Sequence, residues 1–360
     1  MSTSKKISVF GLGLIGGSIT KALKTSDQQI YIKGFDVPEI TDRALKDGSI
    51  DEGIGEIKDC LDSDIIFLCL PTHLSLEYFE NLAPLIGENT IITDVSGVKG
   101  IFEKKWSSVK SRGTYIGGHP MTGKETSGYE SSEELLFENS VYIVSDTTQD
   151  KEKLNELVKV IKLLGARIRF LNPFLHDKVI SRVSHLPQLL AVSLVNTAVD
   201  NNDKINYLDF AAGGFRDMTR IASSGFNIWE SVLKMNKDEI ITAVKILKEN
   251  LKEMENNLAA GNYDAVENMF EKARKRRDEI PKNTKGFIYP LVDVFIYVKD
   301  QPGVLSKLST IMYENNINIK DVELLKIREG SGGTIRFSFE NKTIAAIAKK
   351  LMEDAGFKTK

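Results

Sequence analysis

Short apolar runs alternate with helical periodicity over the first part of the chain. Ile7–Phe10, Tyr31–Phe35, Ile65–Leu70, Thr90–Val95, Tyr115–Gly117 and Val141–Val144 are rich in β-branched and aromatic residues and are bounded by Gly, Pro or Asp, which predicts strands. Between them Ser18–Lys24, Leu74–Ile86 and Lys151–Leu164 read as helices. The last places Leu154, Leu157, Val158, Ile161 and Leu164 at i, i+3, i+4 spacing. This alternation predicts an α/β, doubly wound, mostly parallel sheet of the Rossmann type over residues 1–170. Past Leu171-Asn-Pro173 the strand runs stop, and up to Ile280 the only proline is Pro187. Residues 171–285 therefore read as an all-helical domain of roughly five or six helices. Its Leu186–Val199 segment is apolar on most faces, which predicts burial inside the domain or in a subunit interface. Pro281–Gly286 is a polar linker. From 290 to 360 the order is strand (Leu291–Val298), turn (Lys299–Gly303), helix (Val304–Asn315), strand (Ile319–Lys326), turn (Glu329–Gly333), strand (Thr334–Phe339) and helix (Thr343–Ala355), a ferredoxin-like α+β unit.

Composition narrows the function. The 360 residues carry 48 Lys and Arg against 50 Asp and Glu, for a net charge of −2. No overall basic field exists for nucleic acid or an acidic membrane. No apolar run reaches the ~18 residues of a transmembrane helix, and the N-terminus lacks a signal-peptide pattern, so the expectation is a cytoplasmic protein with reduced cysteines. Cys60 and Cys69 are too few for a disulfide framework or a four-ligand zinc site, and no metal is expected. The possible histidine bases are His73, His119, His176 and His185.

Gly11-Leu-Gly-Leu-Ile-Gly16 lies between a strand and a helix. Gly11 makes the tight turn, Gly13 admits the pyrophosphate, Gly16 lets helix and strand pack, Leu14 and Ile15 belong to the same cofactor-binding turn, and the helix at Gly17–Lys24 offers its N–H groups to the phosphates. Asp36 ends the second strand, where a carboxylate accepts from the ribose 2′-hydroxyl and repels a 2′-phosphate, favouring NAD over NADP. Pro71 and Thr72 follow a third strand, positioned for the nicotinamide half. Asp94, Ser96 and Lys99 are expected at the crevice edge, with Ser96 donating to a cofactor amide or a catalytic imidazole, or acting as a helix cap. His119, among three glycines and a proline just after a strand, is expected to point into the crevice as a general base. Lys124 and Glu125 share its loop. His185 interrupts an apolar stretch beside Pro187 and suits a ligand pocket or a satisfied core position, whereas His73 and His176 are expected to be structural. Gly213-Gly214 breaks the helical pattern before Asp217 and Arg220. Arg220 suits bidentate carboxylate binding, held by Asp217, and Trp229 follows.

Taken together, Gly11–Gly16, Gly118-His119-Pro120, Ser184-His185-Leu186-Pro187 and Gly213–Arg220 with Trp229 come in the order and spacing of one family. The chain resembles the prephenate dehydrogenases of tyrosine biosynthesis. Its C-terminal unit resembles an ACT domain through Asp300-Gln-Pro-Gly-Val-Leu305 and Asn318-Ile319. The resemblance implies NAD-dependent oxidative decarboxylation of prephenate to 4-hydroxyphenylpyruvate. His119 would be the base, with Ser96 beside it. Arg220 would hold a substrate carboxylate, and His185, Lys124, Glu125, Gly213, Asp217 and Trp229 would surround the substrate. It also implies a homodimer built on the helical domain and feedback by tyrosine at Asp300, Gly303, Val304, Leu305, Asn318 and Ile319. Two departures stand out: the chain reads Ser96-Gly97 where the family commonly reads Gly-Ser, and Lys124 where threonine is frequent. Arogenate as substrate, and an NAD-binding amino-acid sensor without turnover, are the alternative readings.

Overall fold

The computed structural model describes residues 4–26, 29–124, 126–199, 205–279, 291–299, 301–328 and 332–360. The expectations placed on Glu125, on Asp300, on the 281–286 linker and on residues 329–331 lie outside the described residues. The chain forms two compact units, residues 1–266 and 267–360.

In the first unit β1 (Lys5–Phe10), β2 (Ile30–Phe35), β3 (Glu52–Gly53), β4 (Ile65–Leu68), β5 (Ile91–Asp94) and β6 (Thr114–Tyr115) form one sheet in the order β3-β2-β1-β4-β5-β6. Every pairing in it is parallel. Its central strands are covered on both faces, which is why they read as unbroken apolar runs. Val9 and Phe67 enter one core, with Ile19 and Leu23 of α1 (Leu14–Lys24) and Leu157 and Ile161 of α5 (Lys151–Leu163). Phe10, Ile66 and Leu68 enter the other, with Phe79 of α3 (Thr72–Leu82) and Phe102 of α4 (Gly100–Trp106). α2 (Pro38–Lys46) follows β2. The strand order reverses between β1 and β4, and at such a switch point a crevice opens at the carboxyl ends of the strands.

A second sheet was not anticipated. β7 (Gly118–Pro120) runs antiparallel to β8 (Val141–Ser145), and β8 runs parallel to β9 (Arg167–Leu171). The glycines around His119 hid β7, whose residues read as a loop; the histidine sits on a short strand, paired with Ile143. β9 was missed because its Arg167 and Arg169 break the apolar pattern.

The helical part contains α6 (Pro173–Ile180), a π-turn at Ser181–His185, α7 (Leu186–Val199), α8 (Gly213–Thr219), α9 (Phe226–Met235), α10 (Lys237–Ala259) and α11 (Tyr263–Asp278). Asn172 caps α6 by accepting from the N–H groups of Phe174 and Leu175. Of the two places expected to bury α7, the interior of its own domain is not the one. Only Gln188 and Ala191 are buried on it, and Val192 and Val199 are 38% and 49% exposed.

The second unit carries β10 (Val292–Val298), α12 (Val304–Glu314), β11 (Asp321–Arg328), β12 (Gly332–Phe339), α13 (Lys342–Asp354) and β13 (Lys358–Thr359). Its antiparallel sheet has the order β11-β12-β10-β13, and one face packs Val294, Ile296 and Phe337 against Leu308, Met312 and Ala348. Gly303 turns the chain into α12 at φ +83°, a left-handed conformation that suits glycine. Gly303 and Val304 border a cavity of about 590 Å³ with Gln301, Pro302 and Lys307. Leu305 and Asn318 are exposed and lie outside that cavity's wall, whereas Ile319 packs on the core.

Candidate active site

The glycine turn leads directly into α1. Gly11, at φ +91°, would place a β-carbon 2.7 Å from the carbonyl carbon of Cys69, so the β1 and β4 ends approach more closely than any side chain permits. Gly13 precedes α1 and faces open space, with nothing within 4 Å of its β-carbon position. The turn borders a cleft of about 1090 Å³ lined by Gly11, Gly13, Asp36, Pro71 and Tyr78, among others. Asp36 accepts from the backbone N–H of Leu12 (2.6 Å) and of Val37 (2.7 Å), which fixes its carboxylate at the end of β2. The described residues lining the cleft include the carboxylates of Asp36, Asp42 and Glu77 and no lysine or arginine. A dinucleotide fits this surface: open space for a pyrophosphate at Gly13, and an acidic wall that disfavours a 2′-phosphate. Thr72 begins α3 directly after Pro71.

His119 sits on β7, beside the Ser96-Gly97 turn that follows β5. Its Nδ1 is 2.8 Å from Nε2 of His176, and its Nε2 is 3.8 Å from the position a β-carbon on Gly97 would occupy. Nδ1 of His176 is in turn 2.8 Å from Oδ1 of Asp177. The Asp177 carboxylate also accepts from the N–H groups of Lys99 (2.7 Å) and Gly100 (2.8 Å), which tie α6 to the start of α4. Burial holds the His119 imidazole well below its ordinary pKa, and its neighbours His176, Lys99 and His185 act the same way. His176 is also lowered, mainly by burial, with Asp177 opposing. A neutral imidazole is a competent proton acceptor.

Beneath this ring lies a buried ion pair. Asp94 and Lys99 were expected at the crevice edge; they are 0% and 1% exposed and bonded to each other. Asp94 also accepts from Tyr115 OH (2.9 Å) and from the N–H of Ser96 (3.0 Å). Burial lowers the Lys99 pKa, and Asp94 opposes that shift. Ser96 makes no bond to the imidazole: its Oγ is buried without a hydrogen-bond partner, and Gly97 is the residue that faces His119. The physical reason is the one-residue order of Ser96-Gly97, which puts the glycine and not the serine beside the ring.

The helical part adds His185. It sits at the end of the π-turn, is buried, and its ring meets Trp229 edge to face at 6.0 Å. Nδ2 of Asn236 lies 3.2 Å from Nδ1 of His185 and donates to the carbonyl of Asp177 at 2.9 Å. Burial pushes the His185 pKa down to about 4. Gly213 opens α8 with Asp217 inside it, and Arg220 follows at its end; all three are exposed. Lys124 is bound to Glu133 (2.7 Å) and to the carbonyl of Ser131 (3.0 Å), which draws it toward its own loop. His73 contacts Ser231 at 3.0 Å, linking α3 to α9.

Prephenate dehydrogenase of Bacillus subtilis (strain 168) is 33% identical to this chain over 352 residues, covering 95% of this chain and 94% of that protein. The enzyme of the same name from Lactococcus lactis subsp. cremoris is also 33% identical, over 98% of both chains. The chain belongs to the prephenate dehydrogenase family. Models for the prephenate dehydrogenase nucleotide-binding domain, the prephenate dehydrogenase dimerization domain and the ACT domain match residues 19–170, 172–272 and 292–353. Prephenate dehydrogenase of Aquifex aeolicus, solved with hydroxyphenyl propionate and NAD+, superimposes with a TM-score of 0.71 at 30% identity. The match covers 78% of this chain and all of that one. Synechocystis arogenate dehydrogenase superimposes with a TM-score of 0.69 at 28% identity, over 76% and 99% of the two chains. The matched nucleotide-binding domain takes in β2 to β6 of the parallel sheet and begins three residues past Gly16. No helix among the described residues is long and apolar enough to cross a membrane.

Sequence reasoning missed His176, Asp177 and Asn236 as members of the site. The adjacency of His176 and Asp177 was visible, but nothing in the sequence reports that α6 folds back onto β7.

Proposed function

We propose that this prephenate dehydrogenase family member oxidises and decarboxylates prephenate to 4-hydroxyphenylpyruvate. The observation that carries the reading is the His119 imidazole: buried, kept neutral by that burial, held through Nδ1 by His176, with Nε2 beside Gly97. Bound NAD+ supplies the hydride acceptor. Gly11, Gly13, Leu14, Ile15, Gly16 and Asp36 would hold it, with Pro71 and Thr72 toward the nicotinamide half. The Ser96 hydroxyl, buried and unpartnered, would donate to the cofactor's carboxamide only once the bound cofactor reaches it. His119 takes the proton of the ring hydroxyl as hydride leaves the carbon that bears it. The ring carboxylate departs as CO2, its electron pair aromatises the ring, and the proton returns to the phenolate oxygen. Arg220 binds a substrate carboxylate as a planar fork, and His185 with Trp229 lines the substrate pocket. Gly213 and Asp217 shape the Arg220 turn.

The exposed apolar side chains of α7, with Phe210 (77%), Phe226 (67%) and Ile228 (64%), support a homodimer through the helical domain. The ACT unit supports feedback by an amino acid, and tyrosine is the effector we assign to it. Arogenate is the second reading, favoured by the arogenate dehydrogenase of similar fold. NADH formation with prephenate and with arogenate, side by side and with added tyrosine, tests all of this. Higher kcat/KM for prephenate and inhibition by tyrosine are expected. A preference for arogenate, or full inhibition persisting after truncation at Lys285, would contradict the respective assignment.

A further inference from the structure

We propose that His176 and Asp177 are positioning residues which hold His119 in the one tautomer that leaves its crevice-facing nitrogen free to accept a proton. The proposal rests on reading His119 as the base, and it identifies what makes that base competent.

A carboxylate only accepts, so across the 2.8 Å contact between His176 Nδ1 and Asp177 Oδ1 the imidazole must donate. A neutral imidazole carries one N–H. With that hydrogen on Nδ1, Nε2 of His176 is an acceptor. Nε2 lies 2.8 Å from Nδ1 of His119, so His119 must donate from Nδ1. The single hydrogen of neutral His119 is then accounted for, and its Nε2, on the Gly97 side, is bare. The opposite tautomer would put two lone pairs against each other between the rings and a hydrogen where the substrate's hydroxyl proton must go.

The chain of bonds is anchored at its far end. Asp177 accepts from His176 and from the N–H groups of Lys99 and Gly100, so its carboxylate cannot rotate to release the histidine without losing two backbone bonds. A β-carbon on Gly100 would meet Asp177 Oδ2 at 2.8 Å, so the approach is as tight as glycine permits. The groups that act on His119 are His176 from α6, Lys99 from the β5–α4 segment and His185 from the π-turn, while Asp177 and Asp94 act on His176. Asp177 is the carboxylate bonded to His176, so through that ring it offsets the charge His119 gains when it takes the proton. This is the logic by which a carboxylate behind a catalytic histidine sets its tautomer in hydrolases.

The test uses full-length protein labelled with 15N-histidine. The four histidines are assigned by single substitutions, and long-range 1H–15N spectra are read together with steady-state kinetics. Expected in the wild type are a protonated Nδ1 and an unprotonated Nε2 on His119. His176→Leu, which cannot accept, should lose that preference. Its kcat should fall by about 10²-fold or more, while KM for prephenate and the affinity for NAD+ change little. His176→Gln offers an amide oxygen to the His119 N–H and should recover kcat to within about 10-fold of the wild type. A wild-type His119 protonated on Nε2, an undiminished His176→Leu, or Leu and Gln variants equally impaired would each overturn the proposal. A wild type that oxidises neither prephenate nor arogenate would overturn the proposed function instead, while the spectra would still decide the tautomer.

Discussion

The α-carbon of Gly16 lies so close to the carbonyl of Gly11 that a β-carbon on Gly16 would overlap that oxygen, with Cys69 on the other side at 3.0 Å. The neighbour that would have to move is backbone, itself fixed by the bond from Gly11 N–H to the Phe35 carbonyl (2.8 Å). Gly16→Ala should therefore destabilise the fold by at least about 2–3 kcal/mol. Gly13→Ala meets nothing within 4 Å and should fold normally, yet lose NAD+ affinity by about 10-fold or more because its methyl occupies the phosphate space. Thermal unfolding and NAD+ titration of the two variants separate the roles. Equal stability of both variants, or unchanged NAD+ affinity in Gly13→Ala, would contradict the assignment.

Lys99 and Asp94 form a buried pair that no solvent screens. Removing the lysine leaves a carboxylate in the interior with only Tyr115 OH and the Ser96 N–H to compensate it. Lys99→Met should cost about 3–5 kcal/mol, measured by denaturant unfolding. The loss should be smaller in the double variant Lys99→Met with Asp94→Asn, which removes the unpaired charge. A double variant no better than the single one would show that the pair's charge is not what the site needs.

The same logic of charge and burial sets the pH behaviour. His119, His176 and His185 all have folded-state pKa values below the ordinary 6.5, with burial the largest cause of each. Between the lowered value and 6.5 the unfolded chain binds more protons, so stability is complete above pH 6.5 and is lost as pH falls. For His185 that window runs from 6.5 to about 4. The acid limb of kcat/KM should likewise lie below pH 6.5, since the base stays neutral through it. Rate profiles and melting curves across this range check both statements; an acid limb above 6.5 would contradict the buried, neutral base.

Much of the fold was legible because local physics decided it. Val9, Phe67 and their neighbours are buried on both sheet faces, so their strands stand out as apolar runs, and Asp150 caps α5 by accepting from Glu152 and Lys153. The glycine turn was legible for the same reason, since only glycine fits at Gly11 and Gly16. The strand carrying His119 was not, because glycine and proline give no strand pattern and β7 exists through its pairing with β8. The Asp177–His176–His119 contacts were illegible because they depend on where α6 packs against α4, a long-range event. Ser96 and Gly97 illustrate the finest level: one residue of register decides whether a serine or a glycine stands beside the imidazole, and the structure places Gly97 there.

The central claim is that His119 is the base for oxidation of the ring alcohol. It is tested most directly by following NADH formation from prephenate and NAD+ with the wild type and with His119→Asn, which keeps a polar side chain but loses the basic nitrogen. The account expects wild-type turnover, and a kcat about 10²–10⁴-fold lower in the variant with NAD+ affinity unchanged. Undiminished turnover in His119→Asn would contradict it.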